Sequence, residues 1–374
     1  VHMGQFCRML YLDHAATTPL RPEAAAAMAP WLGPQFGNTS GSHAISRRAK
    51  NALEEARERV ATVLGAKPAE IVFTGGGTEA DNLALMGRAA VSGQVVTTAI
   101  EHEAVLATSS FLARLGREVA IVSVTSEGVV DPDAVLAATT GDTAVVSVMA
   151  VNNETGARQP INEIATALAE QGIPFHTDAV QAFGSQAVSA SQADLISLAA
   201  HKFGGPQGVG ILYVREGTRL DPLLNGGGQE MGRRSGTHNV AGIVGMTAAM
   251  EAATSDRARF VAATSEARQR FEAKLSDRVE RTIPVDSAVP HISHLRFEVP
   301  ADTMLVRIDR LGLAASAGSA CQSGATTISH VLEAMGVSPE TARRSLRFSF
   351  GWTSTPEDGE QAAELVLAAL EEGR

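Results

Sequence analysis

Lys202 stands in the stretch Ile196–Gly210, at the corner between two apolar runs, Leu195–Leu198 and Val209–Val214. That pattern predicts a strand, a Gly/Pro-rich turn and a second strand. A lysine is a poor tenant of such a corner unless its charge is paired or used. An amine in a dry pocket can form a Schiff base with a carbonyl cofactor, although this stretch alone reads equally well as a surface lysine on a hairpin. Asp178 closes another apolar run, Ile173–His176. It could cap the following turn, or it could pair with a protonated pyridine nitrogen and keep an electron sink electron-poor. Gly75, Gly76 and Gly77 precede Thr78, an arrangement that turns backbone N–H groups and a helix start toward a phosphate. It matches neither the dinucleotide nor the P-loop spacing, and a plain tight turn is the simpler reading of the glycines by themselves. His102 could stack on a ring and move protons or be structural. Lysine and aspartate, one βαβ-sized connection apart, form the arrangement expected for pyridoxal phosphate.

The elements that must position these side chains alternate along the chain. Ala49, Leu53, Ala56, Val60 and Leu64, with Ile45, recur at helical steps over 43–64, and Gly65 closes the run. Strands are predicted at Ile71–Phe73, Val95–Thr98, Glu118–Val124, Thr143–Ala150 and Ile173–His176, with an amphipathic helix at Ile161–Glu170. Near-continuous apolar strands between helices predict an α/β fold with a mostly parallel sheet covered on both faces. Sites in such sheets lie at the strands' carboxyl ends, where Thr78, His102, Asn153, Asp178 and Lys202 fall in turn. Character changes after about Ala253. Residues 254–280 are charged and helical, and a mixed α+β segment follows. The division expected is a large domain over 14–253, and a smaller one made of 1–13 with 254–374.

At 374 residues, two domains are the prior. A formal net charge of −10 argues against nucleic-acid binding by bulk electrostatics. No apolar stretch is long enough to span a bilayer, and the first residues do not read as a signal peptide. Two cysteines, Cys7 and Cys321, make no disulfide framework and point to a reducing cytoplasm. They are also too few for a metal site built by one chain, so no metal is expected.

The stretches YLDHAATTPL, FTGGGTEADNLAL, TTAIEHEAVL, VNNETG, HTDAVQAFG, AAHKFGGPQGVG, GGGQEMGRRSGT, SAGSACQSG and LRFSFGWTS occur in this order from residue 11 to about 355. Together they resemble the cysteine desulfurases of the NifS/IscS kind, within the class V aminotransferase group of pyridoxal-phosphate enzymes. The resemblance implies a fold-type I homodimer that converts L-cysteine to L-alanine and leaves a persulfide on Cys321 for a protein sulfur acceptor. It implies that Lys202 holds the cofactor, Asp178 pairs with the ring nitrogen, Gln181 meets the phenolic oxygen and His102 stacks on the ring. Gly77, Thr78 and His201 would bind phosphate, with Thr237 supplied by the dimer mate. Arg347, Asn153 and Asn38 would hold the substrate, a guanidinium being the suitable partner for a carboxylate.

Cys321 could be a small buried hydrophobe, as most free cysteines are. Ser316, Gly318, Ser319, Ser323 and Gly324 around it point instead to an open loop carrying a nucleophile. The chain departs from the family pattern at Ala199, where many relatives have a phosphate-binding serine, at Ala325–Ile328 after the cysteine, and at Trp352. Selenocysteine lysis, an aminotransferase-like activity and an inactive sulfur-transfer scaffold remain alternatives. Iron–sulfur assembly, tRNA thiolation and DNA phosphorothioation are alike open as destinations of the sulfur.

Overall fold

A computed structural model describes residues 9–90, 93–317 and 328–372. In chain order the strands are β1 (Leu10–Tyr11), β2 (Ile71–Thr74), β3 (Gln94–Thr98), β4 (Val119–Val122), β5 (Thr143–Ser147) and β6 (Phe175–Asp178). They continue with β7 (Leu195–Ala199), β8 (Gly210–Val214), β9 (Glu280–Arg281), β10 (Ile292–Arg296), β11 (Leu313–Ala314) and β12 (Ser345–Ser349). Seven form the central sheet, in the order β2-β8-β7-β6-β5-β3-β4. Pairing is parallel from β4 through β7, and β8 alone runs against its neighbours β7 and β2. The mostly parallel, helix-flanked sheet expected from the sequence is therefore present, and β7–β8 is the hairpin that carries Lys202 at its corner.

Successive residues of a strand point to opposite faces. Val96, Val146 and Ile196 accordingly enter one core, while Val95, Val145 and Leu195 enter another on the far side of the sheet. The helix Ala44–Leu64 lies against the first core through Ala49, Leu53, Ala56, Val60 and Leu64. Ile45 departs from the expected face: it is exposed, and the buried position in that first turn is Ser46.

A smaller antiparallel sheet, β12-β10-β9, and the short parallel pair β1-β11 enclose a separate cluster around Leu12, Phe271, Phe348 and Phe350. One helix, Val240–Leu275, serves both cores. Met246, Met250 and Ala253 pack into the core under the large sheet, and Ala267, Phe271 and Leu275 into the smaller one. The change of composition after Ala253 thus falls inside a continuous helix, which begins fourteen residues before the charged run read from sequence. Among the described residues no helix is long and apolar enough to cross a membrane.

Candidate active site

The carboxyl ends of β2, β3, β5, β6 and β7 converge on a cavity of about 350 Å³. Lys202 reaches it from a short turn, Ala200–Lys202, that directly follows β7. Its Nζ donates to the Ala15 carbonyl, and to the Ala16 carbonyl at 3.0 Å. Gln181 Nε2 donates to the same Ala15 oxygen at 2.8 Å. The segment after β1 is fixed in turn by the Ser349 Oγ hydroxyl, which accepts from the Ala15 N–H at 2.8 Å. Two backbone carbonyls near the start of the chain thereby aim the amine.

Asp178 is the last residue of β6, and one of its oxygens, Oδ1, accepts from the Val180 N–H at 2.9 Å. Both sequence readings of Asp178 therefore meet in one side chain: one oxygen caps the turn, and the residue still lines the cavity. Burial pushes its carboxyl up, opposed by His102, the Val180 amide and Lys202. Two further carboxyls lie buried nearby. Burial and then the Asp178 charge push Asp81 well up. Burial pushes Glu101 up to about 8, although its Oε1 accepts from Thr98 Oγ1 at 2.6 Å and from the Met149 N–H at 3.0 Å. Three carboxyls in one dry region cannot all ionise cheaply, and two of them, Asp81 and Asp178, line the cavity.

His102 caps the helix Glu103–Arg114, its Nδ1 accepting from the Ala104 N–H at 3.1 Å. A neutral His102 therefore carries its proton on Nε2, and burial favours that neutral form. On the opposite wall the helix Gly77–Ala89 begins after Gly76, whose φ of 152° suits glycine alone. A Cβ on Gly77 would stand 2.9 Å from Val180 Cγ2 and 3.3 Å from Ala199 Cβ, so the glycine keeps this wall open. Thr78 and His201 line the same side, and His201 Nδ1 lies 3.1 Å from Thr17 Oγ1.

Arg347, in β12 of the smaller sheet, completes the lining. Its two terminal nitrogens donate to the Asn153 backbone carbonyl and to Asp13 Oδ1, both at 2.7 Å, while Nε is buried with no hydrogen-bond partner among the described residues. Asn153 is drawn to the guanidinium by its main chain. Ser316 and Arg347 exchange both backbone hydrogen bonds, at 3.1 and 2.7 Å, which ties the residue five positions before Cys321 to the cavity wall. Cys321 itself lies outside the described residues, as does Cys7.

Gly77, Thr78, His102, Asn153, Asp178, Gln181, His201, Lys202 and Arg347 are thus brought to one cavity. Asn38 and Thr237 are not: both are exposed and outside its walls. Sequence reasoning missed Asp13, Asp81, Glu101 and the Ala15 carbonyl. Only the position of Glu101 next to His102 could have hinted at one of them.

The surviving set suits a phosphorylated pyridine aldehyde. A buried carboxylate matches a ring N–H, an amine matches the aldehyde, and a glycine-opened helix start with a hydroxyl and an imidazole matches the phosphate. Ala199, the last residue of β7, sets its methyl beside Gly77.

The family model "Aminotransferase class-V" matches residues 10–361. A cysteine desulfurase IscS of Dictyoglomus turgidum is 41% identical over 377 residues, covering 98% of this chain and 96% of its own. An IscS of Methanosarcina thermophila is 41% identical over 376 residues, 96% of this chain and 91% of its own. Among solved structures, a NifS-like protein superposes with a TM-score of 0.92 at 33% identity, covering 97% of this chain and 100% of its own. SspA in complex with cysteine gives 0.82 at 37% identity, over 91% of this chain and 98% of its own.

Proposed function

This chain belongs to the aminotransferase class-V family and is a pyridoxal-phosphate-dependent cysteine desulfurase, and we propose that its residues divide the reaction as follows. Lys202 holds the cofactor and, once released from it, carries the substrate's Cα proton on Nζ, steered by the Ala15 and Ala16 carbonyls. When bound, the cofactor supplies the electron sink that makes this proton removable. Asp178 is the counter-charge to the ring N–H, and its buried neighbours Asp81 and Glu101 stay neutral so that this charge is single. Gln181 faces the phenolic oxygen, and His102, with its proton on Nε2, covers the ring. Thr78, His201 and the Gly77 amide hold the phosphate.

Arg347 and Asn153 take the carboxylate of L-cysteine, Arg347 exchanging its Asp13 contact for it. The Cys321 thiolate then attacks the substrate's sulfur. A sulfur–sulfur bond forms on Cys321 as the substrate's Cβ–S bond breaks, and the carbon skeleton takes up protons to leave as L-alanine. The wall at Ser316 supports this role, because five residues of chain can span at most about 17 Å. The persulfide passes to a protein acceptor, and the IscS relatives support iron–sulfur cluster assembly as its destination. A homodimer completes each site with Asn38 and Thr237 from the second subunit. A reducing, cytoplasmic setting would keep Cys321 a thiol.

The observation that carries this reading is the convergence on one cavity of Lys202 from the turn after β7, Asp178 from β6 and Arg347 from β12. Its test is product analysis of the purified protein supplied with pyridoxal phosphate, cysteine and a thiol reductant. Equal amounts of alanine and sulfide are expected, and alanine without sulfide would overturn the reading. Comparing turnover of cysteine with that of selenocysteine separates desulfuration from selenocysteine lysis.

A further inference from the structure

Glu230 lies 28 residues beyond Lys202 and lines none of the cavity, yet its side chain is fully buried and carries four hydrogen bonds. Arg57 grips both oxygens at 2.8 Å, the Phe73 N–H donates to Oε2 at 2.9 Å, and His238 Nε2 lies 2.7 Å from Oε1. Phe73 belongs to β2, the strand that ends in the Gly75–Gly77 wall. The other face of His238 continues the chain of contacts, its Nδ1 lying 2.9 Å from Thr39 Oγ1. Thr39 follows Asn38, and His238 follows Thr237. The two expected site residues that their own cavity does not contain are therefore joined through Thr39, His238 and Glu230.

The same loop is anchored again by Arg234, which meets Glu79 at 2.7 and 3.1 Å, while Glu79 accepts the Gly75 N–H at 2.8 Å. Backbone strain marks the place. Glu230 and Met231 have φ of 51° and 56°, the left-handed conformations among the described non-glycine residues, and such strain persists only where surroundings over-determine it. Met231, near Thr237 in sequence, and Leu32 and Phe36, near Asn38, are exposed apolar side chains, at 56%, 71% and 67%. The phosphate side of the cavity opens into a recess of about 810 Å³ lined by Gly75, Thr78, Glu79 and Asn82.

We infer that Glu230 is a positioning residue that acts across the subunit boundary: through His238 and Thr39 it fixes the exposed segments carrying Thr237 and Asn38, so that each subunit presents both to the other's pocket. This rests on the reading that a second subunit completes the site, and adds to it the device that holds the donated residues in register. Arg57 makes the device rigid, and the Phe73 N–H ties it to the donor's own phosphate wall.

The test titrates pyridoxal phosphate against apoprotein and reads the cofactor fixed to Lys202 by borohydride. His238→Gln is the main variant, because Arg57 and the Phe73 amide still satisfy Glu230. Glu230→Gln is the companion, scored only where circular dichroism shows a folded chain. Thr237→Ala should raise the half-saturating concentration about tenfold, the cost of one hydrogen bond to a charged group. His238→Gln should raise it by several-fold, and the double variant no further than Thr237→Ala alone.

Mixed dimers then fix the direction. A Lys202→Ala chain paired with a lysine-bearing chain leaves one reporting site. His238→Gln on the Lys202→Ala chain should weaken that site, and His238→Gln on the reporting chain should not. The opposite pattern, or an additive double variant, overturns the inference while a Thr237→Ala effect still supports the shared site. An unchanged Thr237→Ala, or a monomer by sedimentation, overturns the shared site and the inference with it.

Discussion

Lys202 Nζ is aimed by the carbonyls of Ala15 and Ala16 and has no obvious substitute in the cavity. Lys202→Ala should bind the cofactor only reversibly, with no label left on the chain after borohydride reduction. A label at another lysine would show the turn after β7 misread. Asp178→Ala should fold but lose most of its activity. Breaking a buried charge pair costs about 3–5 kcal/mol, which is about two to nearly four orders of magnitude in rate. Alanine production near that of the parent would remove Asp178 from its role. Cys321→Ser should still change the cofactor's absorption when cysteine is added, yet accumulate neither alanine nor persulfide. A thiol with pKa about 8.5 supplies some anion near neutrality, and a hydroxyl supplies almost none. Cys7→Ser should turn over normally.

Elements set how closely these residues can approach. β8 begins at Gly210, and a Cβ there would stand 2.6 Å from the Gly76 carbonyl carbon and 2.7 Å from the Leu198 oxygen. Both are backbone atoms and cannot swing aside. Gly210→Ala should therefore displace the Gly76 turn, costing about 1–3 kcal/mol in stability and weakening cofactor binding together. Gly141→Ala, where nothing lies within 4 Å, is the control and should change neither; thermal melts and cofactor titration read both. The strands were legible because short apolar runs such as Ala144–Val146 lie inside them, and Thr143–Ser147 is buried along its whole length. The first turns of the helix Val240–Leu275 were not, because Gly242 and Gly245 suggest a loop. In the fold they permit contact instead: a Cβ at Gly242 would stand 2.5 Å from Val209 Cγ2, and one at Gly245 2.4 Å from Met28 Cγ. Asp81 and Glu101 were equally hidden, since a lone carboxylate in a sequence looks like a surface one until the fold buries it.

The whole molecule carries opposing buried titrations. His176, His291 and His294 are pushed down to about 3, chiefly by burial, with Arg268 beside His291 and Arg347 beside His294 adding to it. They are neutral when folded, while the unfolded chain protonates them below about pH 6.5. The stability they contribute is full above that pH and is lost as pH falls toward 3. Glu101 works the other way. Held up to about 8, it contributes most below its unfolded pKa of about 4.3 and loses that contribution as pH rises through 8. Asp81, Asp178 and Glu154, also pushed up by burial, act with Glu101, and His14 and His201, pushed down to about 4, act with the three histidines, so that five histidines dominate the acid side. The melting temperature of the apoprotein should therefore climb to about pH 6.5 and decline on the way to about pH 8. Glu101→Gln should flatten the alkaline arm, and a decline of undiminished slope would show that Glu101 is not its source.

β1 pairs with β11, Leu10 opposite Leu313, and the Ala15 N–H donates to Ser349 Oγ, 334 residues along the chain. On the ribosome this gives the protein a timetable. The turn that carries Lys202 can form with the central sheet, but the segment that aims the lysine has no seat until the last strand has been made. Closing so long a loop comes late, so a segment made 334 residues earlier waits for its partner to dock. A nascent chain thus holds an unaimed amine while the 147 residues from Lys202 to Ser349 are made, and the amine is aimed only once β12 exists.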